Sequence, residues 1–275
     1  MSSHPAPQER RITIHDLAAM RERGERIVML TGYDANAAGI LDEHGVPVLL
    51  VGDSLGMVVL GHRTTLPVTL DDMIHHARAV MQAHPRSLVV VDLPFGSFQQ
   101  GPEKALESAL RVVKESGADA VKIEGGARVV DSVRTLVAAG IPVMGHLGLT
   151  PQSVAQFGGF RVQGRDEPGA ERILEDTVAL GEAGAFAIVL ECIPASLAAR
   201  VTEVSPVPTI GIGAGSAVDG QVLVWHDLLG LGSGPSPRFV RPYADLRTTI
   251  GAAIDAFADD VRSGAFPTVE ESYGD

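Results

Sequence analysis

Along the chain, short runs of apolar and mostly β-branched residues alternate with longer segments in which apolar residues recur at the spacing of a helix face. The short runs predict buried strands, because a strand covered on both faces is apolar throughout. Strands are predicted near residues 26–31, 46–52, 87–92, 120–124, 141–146, 185–191, 207–213 and 221–225. Helices are predicted over residues 35–43, 70–83, 103–116, 128–139, 169–183, 195–203 and 243–262.

This regular alternation predicts an α/β fold with a parallel sheet covered by helices. Eight strands are the number that closes a (β/α)8 TIM barrel, which is the architecture we expect. An open, doubly wound sheet is the alternative, but no G-x-G-x-x-G motif follows the first strand. Thr13 and Asp16 have the spacing of a helix start and Gly24 is a plausible stop, which adds an N-terminal helix. Residues 1–12 are predicted to be a tail and residues 13–275 a single catalytic domain.

Composition and charge narrow the possible partners. The net charge is −12, which argues against nucleic acid or an anionic membrane as the main partner, because both require concentrated Lys and Arg. Cys192 is the single cysteine, which excludes an internal disulfide and fits a reducing compartment. No run approaches the roughly 18 apolar residues that span a bilayer, and the amino terminus lacks the apolar region of a secretory signal. A cytoplasmic location is expected.

The carboxyl ends of the predicted strands carry titratable and polar groups, and in a (β/α)8 barrel those ends build the active site. In chain order these groups are Tyr33, Asp34, Asp53, Ser54, Asp92, Lys122, Glu124, His146 and Glu191. The segments GADAVKIE, 117–124, and GAFAIVLE, 184–191, share a Gly-Ala start and a final Glu, which predicts equivalent strand ends for the two glutamates. The groups are therefore expected to share one site.

The three acidic residues Asp53, Asp92 and Glu124 form a hard-oxygen set without a His or Cys cluster, which suits Mg²⁺. Any one of them alone is better explained as a cap or turn residue, but three that converge with Lys122 are harder to dismiss. Lys122 and Glu124 stand two residues apart, so a strand directs both to one face. Lys122 either forms a structural ion pair or binds a substrate carboxylate.

His146 and Glu191 are candidates for binding and proton transfer. His146 stands at a strand end, although a lone histidine is commonly a satisfied core residue. Glu191 has apolar neighbours that would desolvate it, as suits a general base, or it simply begins the turn before Pro194. Cys192 should face the opposite side from Glu191, which favours a buried structural thiol over a nucleophile.

Several long segments resemble the ketopantoate hydroxymethyltransferase family, whose activity is that of a 3-methyl-2-oxobutanoate hydroxymethyltransferase. The resemblance runs from about residue 11 to residue 267. It is carried by VGDSLGMVVLG, TLPVTLDDMI, DLPFGSF, AVKIEGG, GHLGLTPQSV, GGFRVQGR, TIGIGAG and DGQVLVWHDLLG. Two loops depart from it, since TGYDANAA stands where the family more usually has TAYDYPSA, and GHRTT where Gly-Tyr-Asp-x-Thr is typical.

The resemblance implies a (β/α)8 barrel with Mg²⁺ as cofactor and 5,10-methylenetetrahydrofolate as co-substrate. The reaction it implies is transfer of a hydroxymethyl group to 3-methyl-2-oxobutanoate, through an enolate stabilised by Mg²⁺, to give 2-dehydropantoate for pantothenate and coenzyme A synthesis. The partners are then small molecules, with no nucleic acid and no membrane. A large homo-oligomer, commonly a decamer in the family, is also implied.

The resemblance also implies a role for each site residue. The family's metal ligands fall on Asp53 and Asp92, with Glu124 close to the metal. Its contacts with the 2-oxo acid fall on Ser54, Asp92, Lys122 and His146, and its general base falls on Glu191.

Two alternative functions remain open from the residues. The same barrel, Mg²⁺ and enolate chemistry would serve a lyase or mutase of the phosphoenolpyruvate mutase and isocitrate lyase type. A catalytically inactive oligomeric scaffold would be expected to lose one or more of the acidic and lysine residues of the site. Asp53, Asp92, Lys122 and Glu191 are all present.

Overall fold

The eight predicted strands form one closed parallel barrel. A computed structural model describes residues 10–232, 234 and 236–274. Its strands are β1 Ile27–Thr31, β2 Val48–Val51, β3 Leu88–Asp92, β4 Ala120–Glu124, β5 Val143–Gly148, β6 Ala187–Glu191, β7 Thr209–Ile212 and β8 Gly220–Leu223. Each strand pairs in parallel with the next, and β8 pairs with β1. The predicted (β/α)8 barrel is confirmed and the open sheet is wrong.

The helices lie where the hydrophobic spacing predicts them, with small shifts at their ends. The helices are α1 Ile14–Glu22, α2 Ala35–Glu43, α3 Leu55–Val58, α4 Leu70–Met81, α5 Pro102–Ser116, α6 Val130–Ala138, α7 Val154–Phe157, α8 Glu167–Glu182, α9 Ala195–Val204, α10 Trp225–Leu228 and α11 Leu246–Ser263. The four-residue helices α3, α7 and α10 are too short to show a periodic pattern in the sequence. Single 3-10 turns are formed by Ala127–Val129, Pro151–Ser153 and Val269–Glu271.

Helix α1 closes the amino-terminal end of the barrel. Its predicted start is confirmed, because the Asp16 carboxylate accepts hydrogen bonds from both the backbone and the hydroxyl of Thr13. Leu17 and Met20 on α1 are buried and belong to the same core cluster as the inward-facing residues of the strands. The predicted tail of residues 1–12 lies mostly outside the described residues, but Ile12 packs against this cluster.

Truncation of Leu17 should destabilise the protein strongly. Leu17→Ala would leave a cavity at the closed end of the barrel, because the leucine is fully buried, and we expect a loss of about 2–5 kcal/mol of unfolding free energy. Urea unfolding followed by circular dichroism measures this loss. Leu110→Ala on α5, where the leucine is 41% exposed, is the control and should cost under about 1 kcal/mol. Equal losses of unfolding free energy for the two variants would contradict the role of α1 in closing the amino-terminal end of the barrel.

The described residues divide into two compact units, with the boundary between Val224 and Trp225. The first unit contains the whole barrel and all of the strand ends. The second contains α10 and α11. The expectation that residues 13–275 form a single domain stays a prediction beside this division. Within residues 10–232, 234 and 236–274, no helix combines the length and the apolar character that crossing a bilayer requires.

Candidate active site

The interior of the barrel is apolar along most of its length and becomes charged at the carboxyl ends of the strands. The inward-facing apolar residues on β3 to β6 include Val90, Ala120, Met144 and Val189. Side chains alternate along a strand, so the residues two or four positions farther share this face. Those residues are Asp92, Lys122, Glu124, His146 and Glu191.

Lys122 lies at the centre of this charged layer. Its Nζ atom is 2.9 Å from Oδ1 of Asp92, 3.9 Å from Oε1 of Glu124 and 3.2 Å from Nδ1 of His146. Burial alone would lower the pKa of Lys122, but the neighbouring carboxylates of Asp92, Glu124 and Asp53 raise it above its ordinary value. Lys122 is therefore a buried cation held by ion pairs. A lysine ammonium carries three donors, so it can also bind an incoming carboxylate.

Asp53 and Asp92 form a pair of buried carboxylates beside Lys122. The backbone N–H of Asp53 donates to Oδ2 of Asp92 at 3.0 Å, which joins the turn after β2 to the end of β3. Burial and the charges of Asp92 and Glu124 raise the pKa of Asp53 well above its ordinary value. Burial also raises the pKa of Asp92, against the opposing effect of Lys122. The pair is thus short of positive charge, which favours a bound cation.

The donor set of this pair fits Mg²⁺. Oδ1 of Asp92 is buried and has no hydrogen bond of normal geometry, its contact being the ion pair with Lys122. In the part of the chain that the structure describes, no group of three or more His, Cys, Asp and Glu residues could hold a metal ion unaided. Mg²⁺ is commonly bound through one or two carboxylates and completes its shell with water and substrate. Asp53 and Asp92 suit that mode of binding.

His146 connects Glu124 to Glu191. Its Nδ1 atom is 3.3 Å from Oε1 of Glu124, and its Nε2 atom is 3.2 Å from Oε2 of Glu191. Burial and the charge of Lys122 would lower the pKa of His146, but the neighbouring carboxylates of Glu124 and Glu191 raise it to about 9. Burial would raise the pKa of Glu124, but His146 and Lys122 lower it below its ordinary value. The two carboxylates therefore favour the cationic form of the imidazole.

Glu191 is more accessible than the other carboxylates of the layer. Its side chain is 17% exposed, whereas the side chains of Asp92 and Glu124 are at most 4% exposed. Glu191 is the last residue of β6 and Glu124 is the last residue of β4. This placement confirms that the two matching segments end their strands in equivalent ways. A carboxylate that reaches the opening of the barrel can contact a substrate.

Ser54 lies on the other side of the site, after β2. Its hydroxyl makes no capping bond to α3 and lies 2.9 Å from the hydroxyl of the buried Tyr33. Gly52 leaves room for the Ser54 hydroxyl and the Asp92 carboxylate. A Cβ atom at residue 52 would lie 2.9 Å from Oγ of Ser54 and 3.5 Å from Oδ2 of Asp92. Asp34, by contrast, is the N-cap of α2 and accepts a hydrogen bond from the N–H of Ala37. The Asp34 side chain therefore caps helix α2.

Gln152 is a buried residue of the site that the sequence reasoning missed. Its Nε2 atom donates to Oδ2 of Asp53 at 2.9 Å and to the carbonyl of Leu93 at 2.9 Å. Its backbone N–H donates to Oε2 of Glu124 at 3.0 Å. The search of the sequence was for titratable groups, and the amide of Gln152 is not one. Its position shortly after the end of β5 could still have identified it as a residue of the site.

The prediction of a buried Cys192 is wrong in degree, because the residue is half-buried. Cys192 adopts a positive φ of 48°, which is uncommon for a residue other than glycine and breaks the strand alternation immediately after Glu191. Partial burial and the charge of Glu191 raise the pKa of the thiol to about 12. The thiol stays protonated at neutral pH, which agrees with the expectation that it is no nucleophile.

A closed barrel with charged strand ends that meet in one layer is the architecture of a (β/α)8-barrel enzyme. The family model described as ketopantoate hydroxymethyltransferase matches residues 11–269. Curated relatives named 3-methyl-2-oxobutanoate hydroxymethyltransferase include one from Frankia alni, 58% identical over 98% of this chain and 88% of its own. Another from Moorella thermoacetica is 58% identical over 97% of this chain and 99% of its own. The chain belongs to the ketopantoate hydroxymethyltransferase family and is an enzyme.

Solved structures that resemble this one share its fold. A phosphonopyruvate hydrolase, solved in complex with oxalate and Mg²⁺, has a TM-score of 0.59 and 14% identity, with 94% of this chain and 92% of that chain covered. A 2,3-dimethylmalate lyase, a member of the PEP mutase/isocitrate lyase superfamily, has a TM-score of 0.59 and 19% identity, with 94% and 92% covered. At these identities the similarity shows a shared fold only.

Proposed function

We propose that this enzyme transfers a hydroxymethyl group from 5,10-methylenetetrahydrofolate to 3-methyl-2-oxobutanoate, giving 2-dehydropantoate for pantothenate and coenzyme A synthesis. The observation that carries the proposal is the contact between Glu191 and His146, next to the buried Lys122. Glu191 is the candidate base and Lys122 the fixed cation, and both lie in the same layer of the barrel. The relatives named for this reaction support the choice of substrate.

The residues of the layer divide into those that hold the 2-oxo acid and those that hold the metal. Lys122 is the fixed cation for the substrate carboxylate, with Ser54 and His146 as further contacts. Asp53 and Asp92 would hold Mg²⁺, and Glu124 would stay near it while bonded to His146. Bound there, Mg²⁺ would withdraw charge from the keto group of the substrate and make the hydrogen on C3 more acidic.

Glu191 is the proposed general base. Its carboxylate takes the proton from C3 of the oxo acid. His146, as a cation, holds Oε2 of Glu191 by the 3.2 Å contact and so leaves the second oxygen for the substrate. The carbon that has lost its proton then attacks the methylene carbon of the folate. A carbon–carbon bond forms, both carbon–nitrogen bonds of the methylene group break, and water supplies the new hydroxyl group. The C3 proton and the second proton of the water go to the two folate nitrogens, and tetrahydrofolate is released.

We expect the enzyme to exchange the C3 proton of 3-methyl-2-oxobutanoate for deuterium with Mg²⁺ but without folate, because proton removal precedes attack. NMR in D₂O measures the exchange, and a coupled assay with 5,10-methylenetetrahydrofolate measures 2-dehydropantoate. The same sample with EDTA is the control. Product formation without any exchange would contradict the order of steps. Consumption of the oxo acid that is equally fast without folate and gives a different product would contradict the proposed transferase and favour a lyase or mutase.

We also propose that the enzyme is a cytoplasmic homo-oligomer, with a decamer as the family resemblance implies. One side of α11 supports association, because Ile250, Ile254, Phe257 and Val261 recur at helical spacing and are exposed. Light scattering should give several times the mass of one chain. The mass of a single chain would contradict an oligomer.

A further inference from the structure

Gln152 has an uncharged side chain, yet it makes direct hydrogen bonds to two of the buried carboxylates of the site. It lies on the 3-10 turn Pro151–Ser153 that follows β5, and it is buried. Its side chain bonds to Asp53 and its backbone N–H bonds to Glu124. One residue therefore contacts two of the three buried carboxylates.

The direction of the Gln152 amide is determined by a series of hydrogen bonds that starts at a backbone donor. The N–H of Gly96 can only donate, and it donates to Oε1 of Gln99 at 2.7 Å. Nε2 of Gln99 therefore faces Oε1 of Gln152, at 3.1 Å. This leaves Nε2 of Gln152 to donate one hydrogen to the Leu93 carbonyl and the other to Oδ2 of Asp53. Each hydrogen bond in the series thus runs from an N–H donor to an oxygen acceptor.

We propose that Gln152 is a positioning residue that orients Asp53 as a metal ligand, and that Gln99 fixes the direction of its amide. The inference rests on the proposed function, in which Asp53 and Asp92 hold Mg²⁺. Partners of this kind set the orientation and charge of a ligating carboxylate, and their loss typically weakens metal affinity.

A purely structural bridge between loops would act on stability and leave metal affinity unchanged. The bridge does join the turns that follow β2, β3 and β5, so stability must be measured beside metal binding. Gln152→Met keeps the length and approximate volume of the side chain and removes its N–H donors. Gln156→Met, four residues later and exposed, is the matched control.

Binding of Mn²⁺ as a probe, measured by electron paramagnetic resonance, tests the role without a turnover assay. We expect the Mn²⁺ dissociation constant of Gln152→Met to rise about 10–100-fold, with Gln156→Met like the wild type. Raised Mg²⁺ should restore kcat in Gln152→Met, because the catalytic groups are unchanged. Urea midpoints show whether the variant is folded.

Gln99→Met provides a second test, because Gln99 is exposed and its replacement should not prevent folding. It should weaken Mn²⁺ binding in the same direction as Gln152→Met and to a smaller extent. Unchanged Mn²⁺ affinity in folded Gln152→Met, or in Gln99→Met where the first variant does not fold, would overturn the inference. A wild-type enzyme that binds neither Mn²⁺ nor Mg²⁺ would instead overturn the proposed function.

Discussion

Glu191→Gln should strongly slow removal of the C3 proton and leave the oxo-acid site intact. The amide has nearly the same shape as the carboxylate and can still accept a hydrogen bond from Nε2 of His146, but it cannot take a proton as a base. General-base catalysis contributes about 10²–10⁴-fold to a rate, so deuterium exchange and hydroxymethyl transfer should fall together by that factor. NMR exchange and the coupled assay measure the two rates on one preparation.

Binding distinguishes a lost base from a damaged site. Calorimetric titration with 3-methyl-2-oxobutanoate and Mg²⁺ should give a dissociation constant for Glu191→Gln close to that of the wild type, because the proposed contacts through Lys122, Ser54 and the metal remain. Glu203→Gln, at an exposed position on α9, is the charge-matched control and should keep full activity. Exchange at the wild-type rate in Glu191→Gln would remove Glu191 as the base.

The sequence could predict the barrel and the members of the charged layer because both follow from local periodicity. Eight apolar runs were enough to predict eight strands. The two-residue period of β4 placed Lys122 and Glu124 on one face, and the structure shows both directed into the barrel. The same period, applied to the ends of β3, β5 and β6, brings Asp92, His146 and Glu191 to the same layer. The roles assigned to these residues remain predictions.

Some features that the sequence could not predict depend on contacts between distant segments, and others on local backbone geometry. Gln152 reaches Asp53 across 99 residues of chain, and only the closed barrel brings their turns together. Asp34 carries the same carboxylate as Asp53 and also follows a strand, yet the adjacent helix uses it as a cap. The left-handed backbone at Cys192 likewise ends the alternation that had predicted its burial. Gln152 therefore depends on a partner far along the chain, whereas Asp34 and Cys192 depend on local backbone geometry that the two-residue period does not show.

Asp53→Asn should combine a loss of metal binding with a gain in stability of the metal-free enzyme. The substitution removes one of the two proposed metal ligands, so Mn²⁺ affinity should fall by more than the about 10–100-fold that is typical for partners of a ligand. Asp53 has its pKa raised in the folded state by burial and by Asp92 and Glu124. A carboxyl with a raised pKa destabilises the fold once the pH exceeds its unfolded value, so removing its charge should stabilise the fold at pH 7.

Thermal unfolding in EDTA and in Mg²⁺ separates these two effects. In EDTA, Asp53→Asn should unfold at a higher temperature than the wild type, because one of three crowded carboxylates is neutral. In Mg²⁺ the wild type should gain stability from binding, whereas the variant should gain none. Asp255→Asn, exposed on α11, should match the wild type in both buffers. A variant that is still stabilised by Mg²⁺ would show that Asp53 is no ligand. A variant less stable in EDTA would show that the bond from Gln152 and the attraction of Lys122 outweigh burial and the repulsion from Asp92 and Glu124.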